Sequence, residues 1–179
     1  KAHEKVVADA ALFLQALGLR LSATPLPDYT PWASWCREVG ARHAVLNEHL
    51  QAPDGTINPY VAVDRVFTAL RNDDVVACGN ASACILPFQV GRLKRKQRLF
   101  SNSGSASMGY DLPAALGAAM ADRNRRVICF AGDGSLQMNI QELQTLKTWA
   151  ANVIVVVLNN AGYLSIWQTH ENFFGRVIG

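Results

Sequence analysis

The residues Val153-Ile154-Val155-Val156-Val157-Leu158 form an unbroken apolar run, nearly all β-branched, that stops at Asn159-Asn160. A strand with one face in water alternates apolar and polar residues, so a run with no alternation predicts a strand covered on both faces. Two shorter runs have the same form. Val75-Val76-Ala77-Cys78 ends at Gly79, and Val127-Ile128-Cys129-Phe130-Ala131 ends at Gly132. Helical patterns lie between them. Pro59 suits a helix start, with Val63, Val66, Phe67 and Leu70 as its apolar face. Leu112 to Ala121 is alanine-rich with Pro113 near its start, and Met138 to Trp149 places Ile140, Leu143, Leu146 and Trp149 three apart. Alternating strands and helices predict an α/β fold: a doubly wound parallel sheet with helices on both faces.

The N-terminal third reads differently. His3 to Leu17 predicts a helix with Val6, Val7, Ala10, Leu14 and Leu17 as its buried stripe, and Gly18 to Pro31, broken by three prolines, reads as a linker. Trp32 to about Leu50 is expected to be helical, and Gln51 to Asn58 to form a turn. The expected organisation is residues 1–19 as the end of a preceding middle domain, 20–57 as a linker with a helix, and 58–179 as the main domain, truncated at its C-terminus. Both ends are abrupt, which suggests a piece of a longer chain.

Bulk properties exclude several classes. The net charge is only +3, and the basic run Arg92 to Arg98 has no interleaved aromatics, so it reads as a solvated loop and no nucleic-acid partner is expected. None of the four cysteines has CxxC spacing, which argues for a reducing, cytoplasmic location without disulfides or zinc. No apolar stretch approaches the length of a membrane span, so no membrane partner is expected.

In a doubly wound sheet, ligands sit in the crevice beyond the carboxyl ends of the strands. Three strand ends carry candidate residues: Gly79-Asn80, Gly132-Asp133-Gly134 and Asn159-Asn160. The glycines allow close backbone approach, and the free N–H groups of a turn entering a helix favour a phosphate. A carboxylate such as Asp133 beside a phosphate is repelled unless a cation bridges them. Magnesium does so with oxygen ligands, and the Asn160 amide oxygen is a second candidate. Each motif alone is common in turns. Together, on neighbouring strands, they are far more specific. A GxGxxG nucleotide fingerprint and a P-loop are both absent.

Gly-Asp-Gly and Asn-Asn separated by residues 135 to 158, 24 in all, resemble the motif of thiamine diphosphate-dependent enzymes. Gly104-Ser105-Ala106-Ser107-Met108-Gly109-Tyr110-Asp111-Leu112-Pro113-Ala114-Ala115 and Gln141-Glu142-Leu143 resemble the acetolactate synthase branch. Phe100-Ser101-Asn102-Ser103-Gly104 and Gly162-Tyr163-Leu164-Ser165-Ile166 are closest to its sugar and O-antigen pathway members. The resemblance runs from about Asn58 to Gly179. It implies that Asp133, Asn160 and the carbonyl of Gly162 hold magnesium. The cofactor would contact Gly132, the backbone of Gly134 and Ser135, and also Tyr163 and Leu164. Met108 would be the wedge beneath the bent cofactor, and the Ala106 carbonyl would accept from its aminopyrimidine.

Asn80 and Ser82 stand where the synthases bind diphosphate, but Ala81 replaces a His there. Thr169 stands near the family's acceptor-selecting Trp, and Trp167 reads as a packing residue. The implied activity is decarboxylation of a 2-keto acid such as pyruvate and its joining to a second carbonyl compound, by a homodimeric or homotetrameric parent. The family's activating Glu belongs to a partner's N-terminal domain, so no catalytic residue is expected here: Glu142 sits in a helix and Glu171 is read as a solvated loop residue. The isolated chain is expected to be inactive. A sugar-pathway carboligase, a simple decarboxylase and a non-catalytic α/β binding or assembly module remain the alternatives.

Overall fold

The computed structural model describes residues 3–48 and 56–178, with side chains omitted at residues 47 and 48. Two compact units divide the chain, Lys1–Ala44 and Val45–Gly179. In the first, α1 spans Ala10–Ala23 and α2 spans Thr30–Arg42. Helix α1 starts at Ala10 because the Asp9 carboxylate accepts from the N–H groups of Ala11 and Leu12, a side-chain cap. It runs through Gly18 into the stretch expected to be linker. The expected stripe is not buried: Val6, Val7, Leu14 and Leu17 are all exposed. Most of the turn expected at Gln51 to Asn58 lies outside the described residues.

The second unit contains α3 (Val45–Glu48), α4 (Pro59–Ala69), β1 (Val75–Cys78), α5 (Ser82–Val90), β2 (Arg98–Ser101) and α6 (Asp111–Ala121). These are followed by β3 (Val127–Gly132), α7 (Asp133–Gln137), α8 (Glu142–Thr148), β4 (Val153–Leu158) and α9 (Leu164–Phe174). The strands form one parallel sheet in the order β2-β1-β3-β4. Because side chains alternate across a strand, the sheet sorts its residues onto two faces. Val76, Cys78, Ile128 and Phe130 pack against Val63 and Phe67 of α4 and Leu86 and Val90 of α5. Val75, Ala77, Val127 and Cys129 pack against Leu112, Ala115 and Ala119 of α6 and Leu146 of α8. Both faces are therefore covered over β1 and β3, as their unbroken apolar runs require, whereas β4, expected to be covered in the same way, is an edge strand that leaves Ile154 and Val157 exposed.

Three readings in the second unit are also corrected. The helix expected from Met138 begins only at Glu142, and of its three-apart apolar residues only Leu146 is buried. Glu171 lies within α9 rather than in a loop. The basic run is a turn that feeds directly into β2 at Arg98.

Cys78 and Cys129 sit on opposite faces and both are fully buried. Burial pushes the Cys78 thiol above its usual range. Burial, with the Asp111 carboxylate adding, pushes Cys129 from 9.0 up to about 12. A raised thiol pKa stabilises the fold fully below the unfolded value and loses that contribution as pH climbs through the folded one. The Cys129 contribution should therefore fall between pH 9.0 and about 12. The expected slope is about 1.4 kcal/mol per pH unit. Urea unfolding across that range should show a shallower loss in Cys129→Ala.

Candidate functional site

The parallel register brings the C-terminal ends of β1, β3 and β4 to one edge. Cys78 pairs with Phe130 and Gly132 with Leu158, so Gly79-Asn80, Asp133-Gly134 and Asn159-Asn160 leave the sheet side by side. A crevice opens there between the start of α5, the start of α7 and the segment leading into α9. Eleven of the twelve candidate residues line it: Asn80, Ser82, Met108, Gly132, Asp133, Gly134, Ser135, Asn160, Gly162, Tyr163 and Leu164. The twelfth, Ala106, lies beside it, its carbonyl accepting from Asn80 Nδ2 at 3.3 Å. A carbonyl has two lone pairs, so this bond leaves one acceptor site free.

Asp133 ties two turns together. Its Oδ1 accepts from Gly134 N at 2.9 Å and its Oδ2 from Gly162 N at 2.8 Å. The Asn160 amide meets the same corner. With its nitrogen turned inward it donates to Asp133 Oδ1 at 3.3 Å and to the Gly162 carbonyl at 2.6 Å. With its oxygen turned inward, three oxygens converge with no donor among them, an arrangement that a cation would hold. Among the described residues there is no cluster of three or more His, Cys, Asp or Glu. One carboxylate, one amide and one carbonyl suit a hard cation rather than zinc.

The backbone around the crevice is strained. Ala81, Ala106 and Ala161 adopt φ values of 47°, 51° and 64°, and Gly162 lies at 139°. Left-handed alanines cost about 1–3 kcal/mol each and concentrate at functional sites. Two aromatic rings close over the glycines. A side chain at Gly134 would collide with the Tyr163 ring, and one at Gly162 would come within 2.7 Å of Trp167. Trp167 thus packs on the Gly162 turn, as its packing reading implies.

Sequence reasoning assigned no role to two residues that hold this architecture. Asp111, fully buried at the start of α6, accepts from the Ser135 hydroxyl at 2.5 Å. Asn139 Nδ2 donates to the Gly109 carbonyl at 2.6 Å. An acid entering an alanine-rich helix was the visible signal for the first. Nothing in the sequence marked the second. Gly79 is the close neighbour of Asp111: an added Cβ would lie 2.9 Å from Asp111 Oδ2 and 3.1 Å from the Phe130 carbonyl. Gly79→Ala should therefore destabilise the domain by about 1–3 kcal/mol, read as a lower urea midpoint with unchanged m-value.

Residues 79–178 match the family described as Thiamine pyrophosphate enzyme, C-terminal TPP binding domain. The chain is 34% identical over 160 residues to the acetolactate synthase large subunit of Haemophilus influenzae, covering 85% of this chain and 27% of that protein. It is 31% identical over 163 residues to acetolactate synthase isozyme 3 large subunit of Escherichia coli, covering 87% and 27%. It is 29% identical over 179 residues to the chloroplastic acetolactate synthase 2 of Zea mays, covering 96% and 27%. The chain thus spans about a quarter of the length of the curated relatives it matches. With the family match over the strand ends that form the crevice, the chain belongs to the thiamine diphosphate-dependent enzymes, as a C-terminal TPP-binding domain of the acetolactate synthase-like kind.

Proposed function

We propose that this chain supplies the diphosphate-and-magnesium half of a thiamine diphosphate site in a 2-keto acid decarboxylase and carboligase resembling acetolactate synthase. The observation that carries the reading is the corner formed by Asp133, Asn160 and the Gly162 carbonyl, which changes from self-satisfied to cation-binding by one turn of an amide. Asp133, Asn160 and Gly162 would hold magnesium. The backbone of Gly134 and Ser135 would hold the diphosphate, and the start of α5 at Ser82 adds a second helix N-terminus facing an anion. Asn80 spends one amide N–H on the Ala106 carbonyl, and its second N–H would be the donor available to the diphosphate. Met108, which also lines the crevice, would support the bend of the cofactor.

When bound, thiamine diphosphate supplies the nucleophilic carbon at which a 2-keto acid such as pyruvate loses carbon dioxide before joining a second carbonyl compound. What the chain's own residues do is anchor and orient. Asp133 fixes two turns and would offset the charge of the metal, while Tyr163 and Leu164 line the crevice. No glutamate lines the crevice among the described residues. The activating acid would come from another domain or subunit, in a homodimeric or homotetrameric parent.

Residues 58–179 would be the cofactor-binding domain, 20–57 a linker, and 1–19 the end of a middle domain. The unpaired cysteines fit a reducing compartment such as the cytoplasm. Among the described residues no helix is long and apolar enough to cross a membrane.

The test is twofold. The isolated chain should bind thiamine diphosphate saturably only when magnesium is present, and should form no acetolactate from pyruvate. Turnover at a rate comparable to a complete synthase would sink the assignment of the activating group to another domain. Absent binding would sink the cofactor reading itself.

A further inference from the structure

Asp111 is completely buried, and among the described residues no Lys or Arg nitrogen lies within ion-pair distance of it. Its carboxylate is held by two donors, the Leu112 N–H on Oδ1 at 3.0 Å and the Ser135 hydroxyl on Oδ2 at 2.5 Å. Burying a carboxylate with so few partners is costly, so its position calls for a cause beyond packing. The Ser135 hydroxyl has one proton. Once that proton is given to Asp111, the oxygen's lone pairs are left facing the Gly109 N–H, which donates to it at 2.8 Å. The Gly109 carbonyl is pinned from the same side by Asn139. Gly109, at φ 78°, has no room for a side chain, since an added Cβ would lie 2.9 Å from Asn139 Nδ2.

These bonds join two walls of the crevice. Ser135 ends the Gly132-Asp133-Gly134 turn, and Gly109 directly follows Met108. We propose that Asp111 is a positioning residue: through the Ser135 hydroxyl it sets the spacing between the diphosphate-binding turn and the Met108 loop. The inference rests on the cofactor reading above and adds a residue to it. Asp111 does not itself line the crevice; it reaches the lining through Ser135, whose hydroxyl oxygen in turn holds the Gly109 N–H.

The two walls can be probed separately. Inorganic pyrophosphate with magnesium would engage only the diphosphate-and-metal end of the crevice, whereas thiamine diphosphate would also reach Met108. In Asp111→Ala, thiamine diphosphate affinity should fall about tenfold or more while pyrophosphate affinity changes less than about threefold. Asp111→Asn, which keeps an acceptor for the Ser135 hydroxyl, should stay within about threefold of wild type for both ligands. Ser135→Ala, which leaves the turn's backbone donors in place, should reproduce the split, and Ser135→Thr, which keeps the hydroxyl, should return thiamine diphosphate affinity toward wild type, so the idea remains testable if Asp111→Ala does not fold. Equal losses for both ligands, or an unchanged thiamine diphosphate affinity, overturn the positioning role. Wild-type protein that binds neither ligand overturns the cofactor reading and this inference with it.

Discussion

Asp133→Ala should abolish magnesium-dependent binding of thiamine diphosphate, lowering affinity at least about a hundredfold. Two losses combine. The first is electrostatic: the corner loses its only carboxylate, leaving a neutral amide and a carbonyl that hold a divalent ion weakly. The second is geometric. The carboxylate accepts from Gly134 N and Gly162 N, so its removal leaves both turns untied. Hydrogen bonds to a charged group contribute about 1.5–3 kcal/mol each, enough that either loss alone would be measurable. The two separate in Asp133→Asn, which keeps one acceptor for the turns but lacks the charge. It should melt close to wild type yet bind the cofactor almost as poorly as the alanine variant. Titration calorimetry with and without magnesium decides the matter. An alanine variant that binds within threefold of wild type would remove Asp133 from the proposed metal site.

The extent to which this architecture can be read from sequence follows from where each signal is written. Strands β1 and β3 were legible because covered strands carry unbroken apolar runs; β4 carries the same kind of run although it is an edge strand with Ile154 and Val157 exposed, and all three end in glycine or asparagine pairs that cannot be mistaken for their continuation. Strand β2 was not. It is an edge strand of four residues that begins with Arg98, and it merges with the basic turn before it. Helix α5 was invisible for a different reason. Its sequence is apolar on all sides and contains Pro87, so it offers neither a helical period nor a strand alternation. The failure at Met138 to Trp149 has a local cause. Asn139 turns its amide toward Gly109 on another segment, and the chain spends residues 138 to 141 in turns before α8 begins.

The site divides along the same line. Asp133 and Asn160 are visible because strand ends advertise polar residues. Asp111 is not, because its meaning depends on Ser135, which the fold brings to it from 24 residues away. Periodicity marks which residues are buried, but it does not say which buried polar groups find each other.

Phe130→Ala should remove about 3–5 kcal/mol from the stability of the second unit, the largest effect expected from one core substitution. Phe130 is fully buried near the end of β3 and stacks on Phe67 of α4, with ring centroids 6.1 Å apart and planes 10° from parallel. Its truncation would open a cavity between the sheet and α4, and close-packed neighbours refill such a space only in part. A small domain has about 5–15 kcal/mol in all, so the loss would consume a large fraction of it. The consequence reaches the crevice. The Phe130 carbonyl accepts from Gly79 N, so the ring braces the same point at which β1 and β3 deliver Gly79-Asn80 and Asp133 to the site. Phe130→Leu, which fills most of the volume, should cost about half as much. Hydrogen exchange at the amides of β1 and β3 reports on this sheet alone and separates it from Lys1–Ala44. Protection of Val76, Ile128 and Gly79 should drop together in the alanine variant. If Gly79 stays protected while Ile128 is released, the ring supports α4 alone and the coupling to the site edge does not hold.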